Sequence, residues 1–203
     1  MNFALAEQGR KDMIGVFRNT VAEPKIDGER SFMIKSGGKV SLVNRRGTNI
    51  TMKFPDVEKA GAELPEGTVV DGEISCPSQE GKHNCPSTAR RATVNQAKVN
   101  YLCEKYPAVF MAFDLLYLNN EDLRGKPFKD RRSLLQGLKG TLMRESEGFI
   151  LVPQMTDQHG AWQVWVEQEG GEGIMLKDLN ASYSGRRSSA WIKVKAWAEK
   201  DFR

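Results

Sequence analysis

Cysteine and histidine are scarce in this chain, and their spacing narrows the chemistry open to it. The 203 residues include three Cys and two His. An odd number of thiols, with no secretory leader, does not make a disulfide framework. Cys76, His83, Cys85 and Cys103 could together supply four zinc ligands. No C-x2-C pair occurs, however, so the spacing is wrong for a zinc finger, and Cys76 to Pro86 reads as a loop insertion. With only His83 and His159, no serine or cysteine triad is readable. The P-loop pattern G-x-x-x-x-G-K-[ST] is missing. No apolar run approaches the length that crosses a bilayer, so a soluble, intracellular protein without a membrane partner is expected. Internal repeats and low-complexity tracts are also lacking, which excludes an array or a disordered tail.

What is present is a chain long enough for one domain of ordinary size, with room for two small sub-lobes. Its formal charge of +4 is mildly basic, which permits a polyanionic partner without demanding one. The stretch that organises the rest is Glu23-Pro24-Lys25-Ile26-Asp27-Gly28-Glu29-Arg30. A lysine amine attacks only when unprotonated, and neighbouring cations or desolvation favour that form. Gly28 lets backbone approach closely, Arg30 offers a planar fork for phosphate or ribose oxygens, and Asp27 is an acceptor two residues from Lys25. The same octet also fits an exposed charged turn before a strand, since Asp-Gly is a common turn dipeptide.

A short helix is expected within Met1 to Arg18. Ser31 to Lys35 and Lys39 to Asn44 flank Ser36-Gly37-Gly38 as a tight hairpin. Arg45 and Arg46 beside Gly47 suit either a phosphate contact or a solvated turn. A short helix over Asp56 to Glu63 and a turn at Pro65-Glu66-Gly67 lead into the strand Thr68 to Ile74. Asp71 and Glu73 project from one side of that strand, as magnesium-binding oxygens or as a polar strand end. Thr88 to Tyr106 is helix-like and stops at Pro107; Arg90 and Arg91 lie on its basic side. Ala108 to Leu118 is almost continuously apolar, as in a strand covered on both faces, with Phe113 either stacking on a purine or packing in the core. Arg124 to Arg132 carries five basic residues, a DNA-backbone contact or a charged loop, before a helix over Lys129 to Leu138. A strand follows at Gly148 to Val152, then a helix over His159 to Glu169. In Trp191 to Lys195 the two lysines share one strand face, which a nearby polyanion would explain and an exposed strand would equally allow.

Taken in order, these segments resemble the adenylation domain of ATP-dependent DNA ligases, within the nucleotidyltransferase superfamily that includes RNA ligases and mRNA capping enzymes. KIDGER at Lys25 to Arg30 is similar to the family's K-x-D-G-x-R, and VVDGEI at Val69 to Ile74 to its D-G-E strand. AFDLLYLN at Ala112 to Asn119, EGIMLK at Glu172 to Lys177 and WIKVK at Trp191 to Lys195 are similar to three further motifs. The resemblance implies an α+β, ATP-grasp-like nucleotidyltransferase fold of antiparallel sheets packed with helices, with the nucleotide in a cleft between them. It implies that Lys25 attacks the α-phosphorus of ATP, releases pyrophosphate and carries AMP as a phosphoramidate. Glu23 would accept from the adenine amino group and Phe113 would stack on the base, while Arg30 and Glu73 would attend the ribose. Lys177, Lys193 and Lys195 would contact the α-phosphate, and Glu73 and Glu172 would hold Mg²⁺. AMP would then pass to the 5′-phosphate of nicked double-stranded DNA, bound by Arg45, before the 3′-hydroxyl seals the nick.

Two departures qualify the match. Asn44 and Arg46 flank Arg45 where the family has serine and asparagine. The chain also stops at Arg203, where ligases continue into an OB domain. The expectation is a monomeric adenylation domain over residues 1–203, impaired without that domain. Two alternatives stay open. One is an RNA ligase or a GMP-transferring capping enzyme. The other is a non-catalytic nucleic-acid-binding module built on Arg90, Arg91 and the Arg124 to Arg132 cluster.

Overall fold

The computed structural model describes residues 1–76, 93–143 and 147–196. The chain forms two compact units, one from Met1–Ile26, Gly125–Lys129 and Val152–Arg203, the other from Asp27–Arg124 and Asp130–Leu151.

In the first unit the described strands form a four-stranded sheet in the order β1-β10-β9-β2. These are β1 (Leu5–Gly9), β2 (Thr20–Pro24), β9 (Gly173–Asp178) and β10 (Arg187–Lys195). Alternation along the strands sorts their side chains. Ala22, Ile174, Leu176, Ile192 and Val194 enter the core with Trp162, Trp165 and Val166, as period-two strands dictate. The tryptophans come from the expected helical stretch, which runs as an α-helix over Gln158–Trp162 and widens to a π-helix over Gln163–Gln168. Asp157 caps it, its Oδ1 accepting from the Gly160 N–H at 3.0 Å.

The expected N-terminal helix is not formed. Leu5–Gly9 is a strand parallel to β10, and only one 3₁₀ turn, Lys11–Met13, follows. Open hydrogen-bonding groups on β10 and just before it, where the Arg186 carbonyl accepts from the Leu5 N–H, outweigh a weak local helical pattern.

The second unit contains a sheet ordered β4-β3-β5-β6-β7, with β8 also paired to β6. Its strands are β3 (Glu29–Ser36), β4 (Lys39–Asn44), β5 (Thr68–Ser75), β6 (Val109–Leu118), β7 (Glu121–Asp122) and β8 (Phe149–Leu151). The expected hairpin closes through Gly37 and Gly38, both at positive φ (59° and 74°), which a two-residue turn of this hand requires. The sheets are mainly antiparallel and packed with helices, as expected, with two parallel pairs, β1 with β10 and β6 with β8. β6 is buried along most of its length, as its unbroken apolar run predicts. Phe110 is fully buried and stacks on Phe149 at 5.8 Å between centroids, beside Leu135 and Leu138.

Helices α1 (Pro55–Ala60), α2 (Gln96–Lys105) and α3 (Phe128–Thr141) and a 3₁₀ turn at Thr51–Lys53 complete the described elements of this region. The helix expected from Thr88 begins at Gln96 in its described part. Asn95 caps it, accepting from the Lys98 N–H at 3.1 Å, so Thr93 to Asn95 stay outside. Residues 88–92, including Arg90 and Arg91, lie outside the described residues, as do His83 and Cys85 of the zinc alternative. The basic cluster Arg124 to Arg132, whose second half lies inside α3, is corrected at its arginines. Arg131 is fully buried and holds Asp114 through two hydrogen bonds of 2.8 and 2.7 Å. Arg132 is buried against the Ala112 carbonyl, and Arg124 grips Asp122. Burying a guanidinium requires a partner, and β6 supplies one.

Candidate active site

The first unit gathers six of the sequence-predicted side chains on or beside the sheet face opposite its core. Register places them: Glu23 lies across from Met175, which lies across from Lys193; Lys177 lies between Val21 and Trp191. Lys25 leaves β2 just past Pro24, and its N–H donates to the Gly173 carbonyl at 2.9 Å. Its Nζ donates to Glu172 Oε2 at 2.6 Å, while Lys195 Nζ pairs with Glu172 Oε1 at 3.0 Å. One carboxylate thus joins the nucleophile candidate to a second lysine. Burial pushes the Glu172 carboxyl up, but the hydrogen bonds from Lys25 and Lys195 and their charges outweigh it and hold it below the usual carboxylate range.

From the other end of the face, Lys177 reaches Glu23 in an ion pair of 2.5 Å, with both side chains 2% exposed. Gln154 Nε2 donates to Glu23 Oε1 at 2.8 Å. Gln154 carries no motif signal; only the chain's return past β2, where Met155 bridges to Ala22, brings it here.

The second unit holds the remaining candidates. Arg30 and Glu73 are register partners on β3 and β5, and Arg30 clamps the buried Asp71 through bonds of 3.1 and 2.7 Å. The Arg30 guanidinium stands 5.3 Å from the Phe113 ring centroid. Asp71, which beside Glu73 suits either a magnesium ligand or a polar strand end, uses its carboxylate to fix Arg30. The β5–β6 register shifts beside Asp71, opposite Phe113 and Asp114, a bulge of the kind that re-aims side chains. Arg45 is exposed in a tight turn, apart from these residues in sequence and sheet position. Asn44 ties that turn, its Oδ1 accepting from the N–H groups of Arg46 and Thr48 at 3.0 Å, a task its amide performs where the family pattern has serine.

Among the described residues no group of three His, Cys, Asp or Glu could hold a metal ion by itself. The carboxylate oxygens present are hard donors. They fit Mg²⁺, which takes one or two carboxylates and completes its shell with phosphate and water.

The model of the ATP-dependent DNA ligase domain matches residues 4–195. The chain belongs to this family. DNA ligase C2 of Mycolicibacterium smegmatis is 35% identical over 164 residues, covering 79% of this chain and 45% of that protein. DNA ligase of Aeropyrum pernix is 31% identical over 204 residues, covering 94% and 33%. This ATP-dependent ligase domain therefore spans less than half the length of those relatives. Among solved structures, mycobacterial DNA ligase D complexed with ATP and MES superposes with a TM-score of 0.76 at 25% identity, over 97% of this chain and 60% of that one. Chlorella virus DNA ligase-adenylate shares the fold, with a TM-score of 0.62 at 20% identity over 96% and 68%. The fold is that of ligase nucleotidyltransferase domains. No helix among the described residues is long and apolar enough to cross a membrane.

Proposed function

We propose that this chain is the adenylate-forming part of an ATP-dependent DNA ligase, with Lys25 as the nucleophile. The observation that carries the reading is Glu172 held between Lys25 and Lys195 on one sheet face, in a chain of the ligase family. Lys25 Nζ attacks the α-phosphorus of ATP; a P–N bond forms, the P–O bond to pyrophosphate breaks, and pyrophosphate leaves. The amine must lose a proton to solvent before it attacks, because Glu172 Oε2, its ion-pair partner at 2.6 Å, is held below the usual carboxylate range and is a weak base. Lys193 and Lys195 offset the charge that builds on the α-phosphate. Glu23 accepts from the adenine amino group, Phe113 stacks on the base, and Arg30 with Glu73 attends the ribose. Glu73 and Glu172 would hold Mg²⁺, which supplies charge neutralisation on the phosphates when bound. AMP then passes to the 5′-phosphate of a DNA nick, where Arg45 binds, and the 3′-hydroxyl displaces AMP.

Incubation with α-labelled ATP and magnesium, followed by denaturing electrophoresis, tests the first step. Wild type should carry label and Lys25→Ala none; label that survives in Lys25→Ala would overturn the assignment. Nicked DNA and nicked RNA duplexes offered to the labelled protein then separate a DNA ligase from an RNA ligase.

A further inference from the structure

The family resemblance groups Lys177 with Lys193 and Lys195 at the α-phosphate, but the register of the sheet separates them. On β9, Lys177 pairs with Trp191, whereas Lys193 pairs with Met175 and Lys195 with Gly173. At about 3.3 Å per residue, Lys177 stands about 7 Å along the strand from the level of Lys193 and about 13 Å from that of Lys195. Lys195 meets Lys25 through Glu172 at one end of the face; Lys177, at the other end, reaches along it to Glu23, which lies at the level of Met175 and Lys193. The Lys177 ammonium is walled by two rings, 4.3 Å from the Trp191 centroid and 5.1 Å from that of Phe128. This is a desolvated cation–π setting, with the buried Glu23 carboxylate as counter-ion. Gln154 grips the other carboxylate oxygen at 2.8 Å.

A carboxylate held at both oxygens has one orientation. It accepts hydrogen bonds only, and its two oxygens offer about four lone-pair directions; Gln154 takes one by hydrogen bond, while Lys177 holds the other oxygen as an ion pair. The remaining directions suit a donor. Adenine presents an amino group at its 6-position, whereas guanine presents a carbonyl oxygen there, which a fixed carboxylate repels.

We infer that Lys177 and Gln154 are positioning residues for Glu23, and that this trio sets the choice of adenine over guanine. The inference rests on the adenylate-forming reading and gives Lys177 a role at the base instead of the phosphate.

The test uses nucleosides that carry no phosphate. Calorimetric binding of adenosine and guanosine is compared for wild type, Lys177→Met, Lys177→Arg and Gln154→Leu, alongside labelling with α-labelled ATP and GTP. Lys177→Met and Gln154→Leu should each weaken adenosine binding about tenfold and narrow the adenosine-to-guanosine ratio, the scale of one charge-assisted hydrogen bond. In the labelling reaction their loss should appear in KM for ATP, and Lys177→Arg should restore most of it. Because Lys177→Met leaves Glu23 buried without its counter-ion, Glu23→Gln/Lys177→Met provides a variant with no stranded charge. It should lose no more adenine preference than Glu23→Gln alone, since Lys177 acts through Glu23. A Lys177→Met protein that binds adenosine like wild type but labels slowly at saturating ATP would make Lys177 a phosphate contact and overturn the inference. So would a wild type that binds neither nucleoside or prefers guanosine. Nucleoside binding as expected, without covalent labelling of wild type, would instead defeat only the adenylate-forming reading.

Discussion

Glu172 shows how much one carboxylate decides here. Its carboxyl is a quarter exposed and is held below its ordinary value of 4.5 by Lys25 and Lys195, against the opposing pull of burial. A carboxyl whose folded pKa lies below its unfolded one contributes stability that is fully present above the unfolded value and is lost as pH falls through the folded one. The stability advantage of wild type over Glu172→Gln should therefore be level from neutrality down to about pH 5 and shrink below about pH 4. Partial exposure keeps the advantage modest and sensitive to salt. Urea unfolding of both proteins across that range checks this, and an advantage that grew on acidification would contradict it. Lys25, Lys193 and Lys195 stand out as candidates by residue type and spacing and Glu172 through the family resemblance, and the structure joins Lys25 and Lys195 through Glu172. Gln154 was not, since its partner Glu23 is far away in sequence and nothing in Val152-Pro153-Gln154-Met155 announces a buried acceptor. The inward turn of Arg131 was hidden for the same reason: a basic run reads as solvated until its buried counter-ion, Asp114, is placed.

At the scale of elements, local pattern succeeded where burial was one-sided or complete. β6 and the β3–β4 hairpin follow from an apolar run and a Gly-Gly turn, and α3 follows from its apolar spacing. It failed at β1, which owes its form to pairing with β10 from the far end of the chain. The glycines of these elements separate two kinds of constraint. Gly28 precedes β3, and a Cβ there would stand 2.2 Å from the Ile74 carbonyl oxygen, backbone that cannot step aside. Gly28→Ala should cost about 1–3 kcal/mol of unfolding free energy and slow self-adenylation, because the strain falls next to Lys25. Gly137 lies inside α3 with open space where its Cβ would be. Gly137→Ala should stabilise by about 0.5–1 kcal/mol, the usual return from removing a helical glycine, and leave labelling as in wild type. Chemical denaturation of the two variants side by side checks both signs. Equal effects would mean that local space does not govern either site.

For the whole molecule, the resemblance supplied the fold class and the length left room for two sub-lobes, but the segments that make up each unit were not legible, because they depend on which distant stretches pair. The first unit is interleaved: β1 and β2 come from before residue 27, and β9 and β10 from after residue 152. Cutting after Ile26 would leave only the β9–β10 pair of that sheet, and a two-stranded ribbon is marginal in water. The second unit differs, since all of its described strands and its buried cluster fall within residues 27–151. That span should fold alone, with a cooperative urea transition and a strand-rich far-UV spectrum, though less stably than the full chain. The loss has an identifiable source at the start of α3. There the Phe128 and Lys129 N–H groups donate to the Ala181 and Leu179 carbonyls at 2.9 Å, and the fully buried Phe128 ring would be exposed. Adding a polar substitution, Phe128→Ser, to the fragment should therefore improve its solubility, whereas in the full chain the same change should destabilise by about 3–5 kcal/mol. A fragment that unfolds without cooperativity would show instead that the second core cannot stand without the first unit's strands.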